Sequence, residues 1–501
     1  MTNQDTHIKC QKLEYGDWQT NYNLAVDVCR LLKDEGFNPQ VIIEPTCGIG
    51  NFILAALDVF DGIECIYGIE INKAYLNTLS VELKLREINN VKIELIADNI
   101  FNFDLKCIRS QIKGKQILVL GNPPWVTNSK LGRIDGKNLP NKTNYKHLKG
   151  IDAITGRGGF DIAEAVCRKF ISGLHDENLT LALLLKNSVI RNIVYEQCSS
   201  HNCNVSLMQY NIDAKKEFGA TVDASLMLAK INTLVSPQCQ VIDFYTKTEL
   251  YKYGWINNKF VSNVSEYNGD LDGCCQLQWW SGIKHDCAKV MELTKKDGIY
   301  FNGFGDVVDI EDSIVYPLLK SSDVDGKEIT STTRYVIIPQ HNTSQDTEQL
   351  KYSYPKAYQY LLQHADKLDA RKSIIYEKRP RFSIFGIGDY SFKRYKVIIS
   401  GLYKHAKFSF VGLIEGKPVM LDDTCYMIGF DDVGDAIAVF RTLNDEKVRR
   451  FLHSLMFLDA KRVINKELLM RIDLDNALNI VCKKYNLNKP QLMSPQQLSL
   501  F

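Results

Sequence analysis

The chain has 501 residues, more than one compact core holds, so two or three domains are expected. Hydrophobic residues make up 45% and charged residues 24%, ordinary values for a soluble folded protein. Lys plus Arg number 61 against 59 Asp plus Glu, which excludes a globally basic surface; a nucleic-acid partner would have to meet a local patch. From residue 41 onward apolar strands alternate with amphipathic helices. Val41–Ile43 is the first strand, and a glycine-bearing loop leads into a helix over Phe52–Val59. Strand Cys65–Ile71, helix Lys73–Ile88, strand Val91–Ile96 and strand Gln116–Leu120 follow. Helix Asp161–Leu174 and strands Leu179–Leu185, Val205–Gln209 and Ala224–Lys230 complete the first half. This order predicts an α/β fold with a mostly parallel sheet, Rossmann-like in plan, whose ligands bind at the carboxyl ends of the strands.

Polar residues that could bind a ligand fall at those ends. After strand one comes Glu44-Pro45-Thr46-Cys47-Gly48-Ile49-Gly50, where Gly48 and Gly50 permit a tight turn beside a ligand. After strand two comes Glu70, placed to accept hydrogen bonds from ribose hydroxyls. Asp98 follows strand three, within reach of an adenine amino group. Strand four stops at Asn122-Pro123-Pro124-Trp125. Two adjacent prolines forbid further sheet pairing and hold one amide, two carbonyls and one aromatic face in a rigid turn. That suits a planar ring carrying an exocyclic amino group. The stretch Gly132–Lys137 is one residue short of a phosphate-binding loop and follows no strand, and the first loop departs from the dinucleotide-binding pattern.

Asn122-Pro123-Pro124-Trp125 resembles the catalytic motif of the amino-methyltransferases, and the chain resembles a gamma-class N6-adenine DNA methyltransferase of the restriction–modification type. The matching segments run in family order from about residue 15 to 230. They begin with Tyr15-Gly16-Asp17-Trp18-Gln19-Thr20-Asn21, where Asn21 stands in place of the family's proline, and helix Leu24–Leu32. They continue through Asp161-Ile162-Ala163-Glu164, Lys186-Asn187-Ser188 (with Lys186 in place of a proline) and Phe218-Gly219-Ala220-Thr221-Val222. The resemblance implies S-adenosylmethionine as cofactor, held by Thr20, Glu44, Thr46, Gly48, Gly50, Glu70 and Asp98. It implies Asn122, Pro123, Pro124 and Trp125 as the catalytic turn. Double-stranded DNA is the implied partner, with a flipped adenine stacked on Trp125 and Phe218. RNA, a protein glutamine amide, or an inactive DNA-binding module are the competing readings. The polar segment after Trp125 carries Lys130, Arg133, Lys137, Lys142, Lys146, Lys149 and Arg157 and is expected to order over DNA.

The catalytic domain is expected over 1–235 and a mixed α+β target-recognition domain over 236–488. The second half is richest in interleaved basic and aromatic residues over Arg371–Phe410, with Arg379 and Arg381 as candidate DNA contacts. The acidic group Asp306, Asp309, Glu311 and Asp312 reads as a solvated turn. A flexible tail is expected over 489–501, ending in Gln497-Leu498-Ser499-Leu500-Phe501. This peptide resembles the bacterial sliding-clamp-binding motif, in which Leu498, Leu500 and Phe501 would fill an apolar cleft and Gln497 would make directional hydrogen bonds. A separately encoded restriction endonuclease is the other implied partner. Met1–Asp5 is polar, no run is apolar enough to span a bilayer, and the 14 cysteines read as reduced thiols of a cytoplasmic protein. Cys198, His201 and Cys203 have the wrong spacing for a standard zinc site, so no metal is expected.

Overall fold

The computed structural model describes residues 19–86, 88, 90–126, 161–199, 205–219, 222–231, 236–377, 379–486 and 488–490. Tyr15–Trp18, the basic segment from Lys130 to Arg157, His201, Cys203, Ala220-Thr221 and the terminal peptide with Gln497, Leu498, Leu500 and Phe501 lie outside the described residues. The chain divides into two compact units at Val264/Ser265.

The first unit is built on a ten-stranded sheet in the order β10-β9-β8-β6-β7-β5-β4-β1-β2-β3. Its strands are β1 (Val41–Glu44), β2 (Cys65–Glu70), β3 (Lys92–Ala97), β4 (Ile117–Gly121), β5 (Leu179–Lys186), β6 (Val205–Ile212), β7 (Ala224–Ile231), β8 (Gln238–Asp243), β9 (Glu249–Ile256) and β10 (Lys259–Val261). β1 and β4 are buried along their whole length, which is why they read as continuous apolar runs. β1 pairs in parallel with β2 on one side and β4 on the other. The chain leaves β1 in one direction and later returns beside it in the other, so a crevice opens at the carboxyl end of β1. β7 inserts antiparallel between β5 and β6.

The helices are α1 (Tyr22–Asp34), α2 (Asn51–Val59), α3 (Lys73–Leu85), α4 (Lys106–Ile112), α5 (Ile162–Gly173), α6 (Asn187–Ser199) and α7 (Ala214–Phe218). Asn21, Asn72, Asp161 and Asp213 cap α1, α3, α5 and α7 by accepting backbone N–H groups of the first turn. Asn21 therefore has a local purpose at the start of α1. α4, α6 and α7 were not expected from the sequence. The unit also extends beyond the expected boundary at 235. β8 pairs in parallel with β6 at Met208↔Gln240, and β9 and β10 continue the sheet by antiparallel pairing. These strands cover the edge that β6 would otherwise leave open.

The second unit contains two smaller sheets, and its strands continue the numbering: β11 (Trp280–Ser281), β12 (Glu292–Lys296), β13 (Ile299–Phe301), β14 (Val307–Val308), β15 (Val315–Leu319), β16 (Glu328–Ile329), β17 (Arg334–Ile337), β18 (Tyr395–Ser400), β19 (Phe408–Val411), β20 (Met420–Leu421) and β21 (Cys425–Phe430). One sheet has the order β11-β21-β18-β19-β16 and the other β14-β13-β12-β17-β15-β20. Helix Pro355–Gln363 packs its Ala357, Tyr360 and Leu361 into a core with Val336, Ile337 and Phe382. The mixed α+β character expected from the sequence is present.

The basic–aromatic stretch is largely scaffold. Phe382 and Phe408 are fully buried. Arg371 donates to four main-chain carbonyls, at Leu368 (2.7 Å), Ser383 (2.8 Å), Arg381 (2.9 Å) and His285 (3.3 Å). Arg381 forks onto the Asp369 carboxylate, and Arg379 lies over the Phe385 ring at 5.8 Å. The acidic group is also engaged rather than simply solvated. Asp309 pairs with Lys356 at 2.9 Å, and Asp312 pairs with Lys417 at 2.5 Å. Glu311 accepts the Lys356 and Ala357 N–H groups at 2.9 and 3.0 Å, at the start of helix Pro355–Gln363. No helix among the described residues is long and apolar enough to cross a membrane.

Candidate active site

Four consecutive parallel strands deliver polar groups to one cavity of about 130 Å³. β1 supplies Glu44 and leads into Thr46 and Gly48, β2 supplies Glu70, β3 leads to Asp98, and β4 leads to Asn122 and Pro124. Thr20, just before α1, closes one side.

The glycine loop is shaped by its own backbone. Gly48 and Gly50 have φ of 53° and 85°, a left-handed conformation that favours glycine. At Gly50 a Cβ would also lie 2.2 Å from Leu79 Cδ1, so this glycine packs against α3 and does not line the cavity. Gly48 N–H donates to Glu70 Oε2 at 2.9 Å, and Asn72 N–H donates to Glu70 Oε1 at 2.8 Å. Each carboxylate oxygen keeps further acceptor capacity after one backbone bond, so Glu70 is oriented and still able to receive hydroxyls.

Glu44 sits deeper, 3% exposed, and its Oε2 has no hydrogen-bond partner among the described residues. Burial pushes its carboxyl well above the usual carboxylate range, with the Glu70 charge adding to the effect and the Ile53 N–H opposing it. Thr46 Oγ1 is likewise buried with no partner among the described residues. Buried polar atoms left this way await a ligand or water.

The catalytic-type turn is held from three directions. Asn122 Nδ2 donates to Thr20 Oγ1 at 3.2 Å, while the Thr20 carbonyl accepts from Asn51 Nδ2 at 2.7 Å. Trp125 Nε1 donates to the Leu184 carbonyl at 3.1 Å, and Ile162 N–H donates to the Val126 carbonyl at 3.1 Å. Behind the turn, Lys186 pairs with Asp161, which caps α5. Lys186 thus supplies the cation that a buried carboxylate, 4% exposed, requires.

The structure gathers Thr20, Glu44, Thr46, Gly48, Glu70, Asp98, Asn122 and Pro124 around the cavity, but not Gly50, Pro123, Trp125 or Phe218. Trp125 and Phe218 are each 8% exposed and meet edge to face, with centroids 5.1 Å apart at 73°. Sequence reasoning missed Asn51, Phe52, Ile71, Asn72, Tyr75, Phe101 and Ile162, all of which line the cavity. Most of them follow a strand end by a few residues, and extending the strand-end argument by one helical turn would have reached them. Arg379 and Arg381 belong to the second unit.

No protein-family model matches the chain. A solved structure of the type IIL restriction-modification enzyme MmeI in complex with DNA aligns over 96% of this chain and 70% of that one, with a TM-score of 0.54 and 12% identity, which shows a shared fold. The methyltransferase subunit of a type I restriction-modification system from Streptococcus thermophilus aligns over 45% of this chain and 46% of that one, with 16% identity and a TM-score of 0.32. The type II methyltransferase M.NspV from Nostoc sp. is 40% identical over 481 residues, spanning 95% of this chain and 99% of that protein. With identity at that level along nearly its full length, the chain belongs to the type II methyltransferases.

Proposed function

We propose that this chain methylates N6 of adenine in a specific DNA sequence, with S-adenosylmethionine as the methyl donor, within a restriction–modification system. The observation that carries the reading is the convergence of Glu44, Glu70, Asp98 and Asn122, from four adjacent strand ends, on one cavity.

The donor set fits the cofactor. Glu70 offers an oriented carboxylate to a ribose, and Asp98 offers an acceptor to an adenine amino group. Glu44 Oε2 and Thr46 Oγ1 offer buried polar atoms to the amino-acid end. Phe52, Ile71, Tyr75 and Phe101 supply apolar walls. When bound, S-adenosylmethionine supplies a methyl carbon made electrophilic by its sulfonium. The protein's task is to make adenine N6 nucleophilic, because its lone pair is delocalised into the ring. Asn122 Oδ1 and the Pro123 carbonyl accept the two N6 hydrogens, which favours a tetrahedral nitrogen and binds the transition state better than the ground state. Trp125 and Phe218 supply aromatic surface for a base taken out of the helix, which offsets part of its unstacking. Arg379 and Arg381 remain candidate phosphate contacts, although Arg381 would have to leave Asp369.

Incubating the full chain with labelled cofactor and separately with DNA, RNA and protein tests the substrate class. Sequencing of the DNA product then tests the atom and the site. Label in DNA as N6-methyladenine at one recurring sequence is the expected result. Label in RNA or protein alone, or on cytosine, overturns it. The terminal peptide Gln497–Phe501 is proposed to bind the replication sliding clamp. Deleting it should abolish clamp binding and leave transfer to free DNA unchanged.

A further inference from the structure

The second unit holds a cavity of about 190 Å³ between the start of β15, the segment that follows β17 and the short helix Leu350–Ser353. At its edge lies Gln340, 1% exposed. Its Nε2 donates to the Asn342 carbonyl at 2.9 Å and to the Ile384 carbonyl at 3.2 Å. Both hydrogens of the amide are therefore used. Its Oε1 is buried and has no hydrogen-bond partner among the described residues. A buried amide acceptor left this way is costly unless a ligand or water meets it.

The cavity's rim is polar and nearly uncharged. His341 and Gln349 are exposed, and Gln345 is half-buried with its Oε1 accepting the His341 N–H at 2.7 Å. Among the described residues Asp346 is the one Asp, Glu, Lys or Arg in the lining, and its carboxylate accepts the Glu348 N–H at 3.0 Å. Among the described residues no Lys or Arg lines the cavity. Phosphates are held chiefly by cations, helix ends, hydroxyls and some amides, whereas the amino groups of adenine and cytosine are read by acceptors such as side-chain amide and carboxylate oxygens. The chemistry here is of the second kind. The basic–aromatic stretch, by contrast, spends Arg371 and Arg381 on its own scaffold.

We propose that this cavity is a base-reading site. It takes the edge of a non-target DNA base that carries an exocyclic amino group, with Gln340 Oε1 as the acceptor and the His341–Gln349 rim completing the contact. The proposal rests on the reading of this chain as a DNA methyltransferase. Adenine and cytosine both present such an amino donor in the major groove, and the experiment separates them.

Once sequencing has given the methylated site, duplexes are made in which each non-target adenine or cytosine is replaced in turn by an analogue without the amino group. Purine replaces adenine and 2-pyrimidinone replaces cytosine. Initial rates are compared for the full-length wild type and Gln340→Leu. With the wild type, one replacement is expected to slow transfer about tenfold or more, and which analogue does so identifies the base. With Gln340→Leu, the same replacement should change the rate less than about threefold, and genomic methylation should spread to sites altered at that position. If Gln340→Leu does not fold, the rim variant Gln349→Ala is expected to relax the same position. Equal sensitivity to every replacement in wild type and variant overturns the proposal alone. No transfer by the wild type to any DNA overturns the reading beneath it and the proposal with it.

Discussion

The two units treat polar and charged residues in opposite ways. In the first, parallel strands stop on one side of the sheet, and Glu44, Glu70, Asp98 and Asn122 are left together around a cavity. In the second, the most conspicuous charges are tied into the framework, with Arg371 on four carbonyls and Arg381 on Asp369. The difference teaches that a polar residue's position in a topology says more about its use than its local composition does. A strand end in a parallel sheet is a place where ligands bind. A cluster of arginines and aromatics is as readily a set of clamps for irregular backbone.

The sharpest way to break this comparison is Asn122→Ala. If the first unit's strand ends are machinery, transfer should fall about 10²–10³-fold, with cofactor affinity nearly unchanged by equilibrium dialysis. Retained turnover would reduce the cavity to scaffold. Next comes Glu70→Ala, which removes a carboxylate held by Gly48 and Asn72. Cofactor binding should weaken about 10–100-fold, the value of hydrogen bonds to a charged group. In the second unit, Arg371→Ala should destabilise the fold by about 2–4 kcal/mol, because several carbonyls lose their donor. Arg381→Ala should change stability far less, since its pair with Asp369 is exposed. Urea unfolding measures both, and a reversed ranking would undo the view of Arg371 as a clamp.

The last effect concerns pH. Lys396 in β18 is 1% exposed, donates to the Lys393 carbonyl at 2.7 Å, and has its amine lowered by burial to about 7. Between about 7 and the ordinary value of 10.5 the unfolded chain carries more protons at this residue than the folded one. Stability should therefore rise with pH across that window, by at most about 1.4 kcal/mol per unit. Hydrogen exchange in β18 should show the rise, and Lys396→Met should flatten it.

Much of the first unit was legible because its signals are local. Val41–Ile43 was expected and Val41–Glu44 is seen, since a short apolar run bounded by Glu-Pro has few alternatives. Eight of the residues marked for the site do line the cavity, from Thr20 to Pro124, because parallel topology alone brings strand ends together. β8 was not legible as a strand of this sheet: its alternation breaks at Val241-Ile242, and its partner β6 lies about thirty residues away, so pairing across that interval decides it. The pairing of Arg381 with Asp369 was not legible, because nothing in the local sequence reveals that the two side chains meet. The closure of Trp125 against Phe218 was also invisible, since it joins positions far apart in the chain.

Thr20 has a consequence that reaches past its own hydrogen bonds. It lines the cofactor-type cavity, and its hydroxyl receives the Asn122 amide. One side chain thus belongs to two binding equilibria. A ligand that shifts Thr20 changes what Asn122 offers to a base, and a base that draws on Asn122 must change what Thr20 offers in return. Linkage makes the two effects equal in free energy. Cofactor and DNA should each raise or lower the other's affinity by one common factor, and Thr20→Ala should bring that factor towards one in both directions.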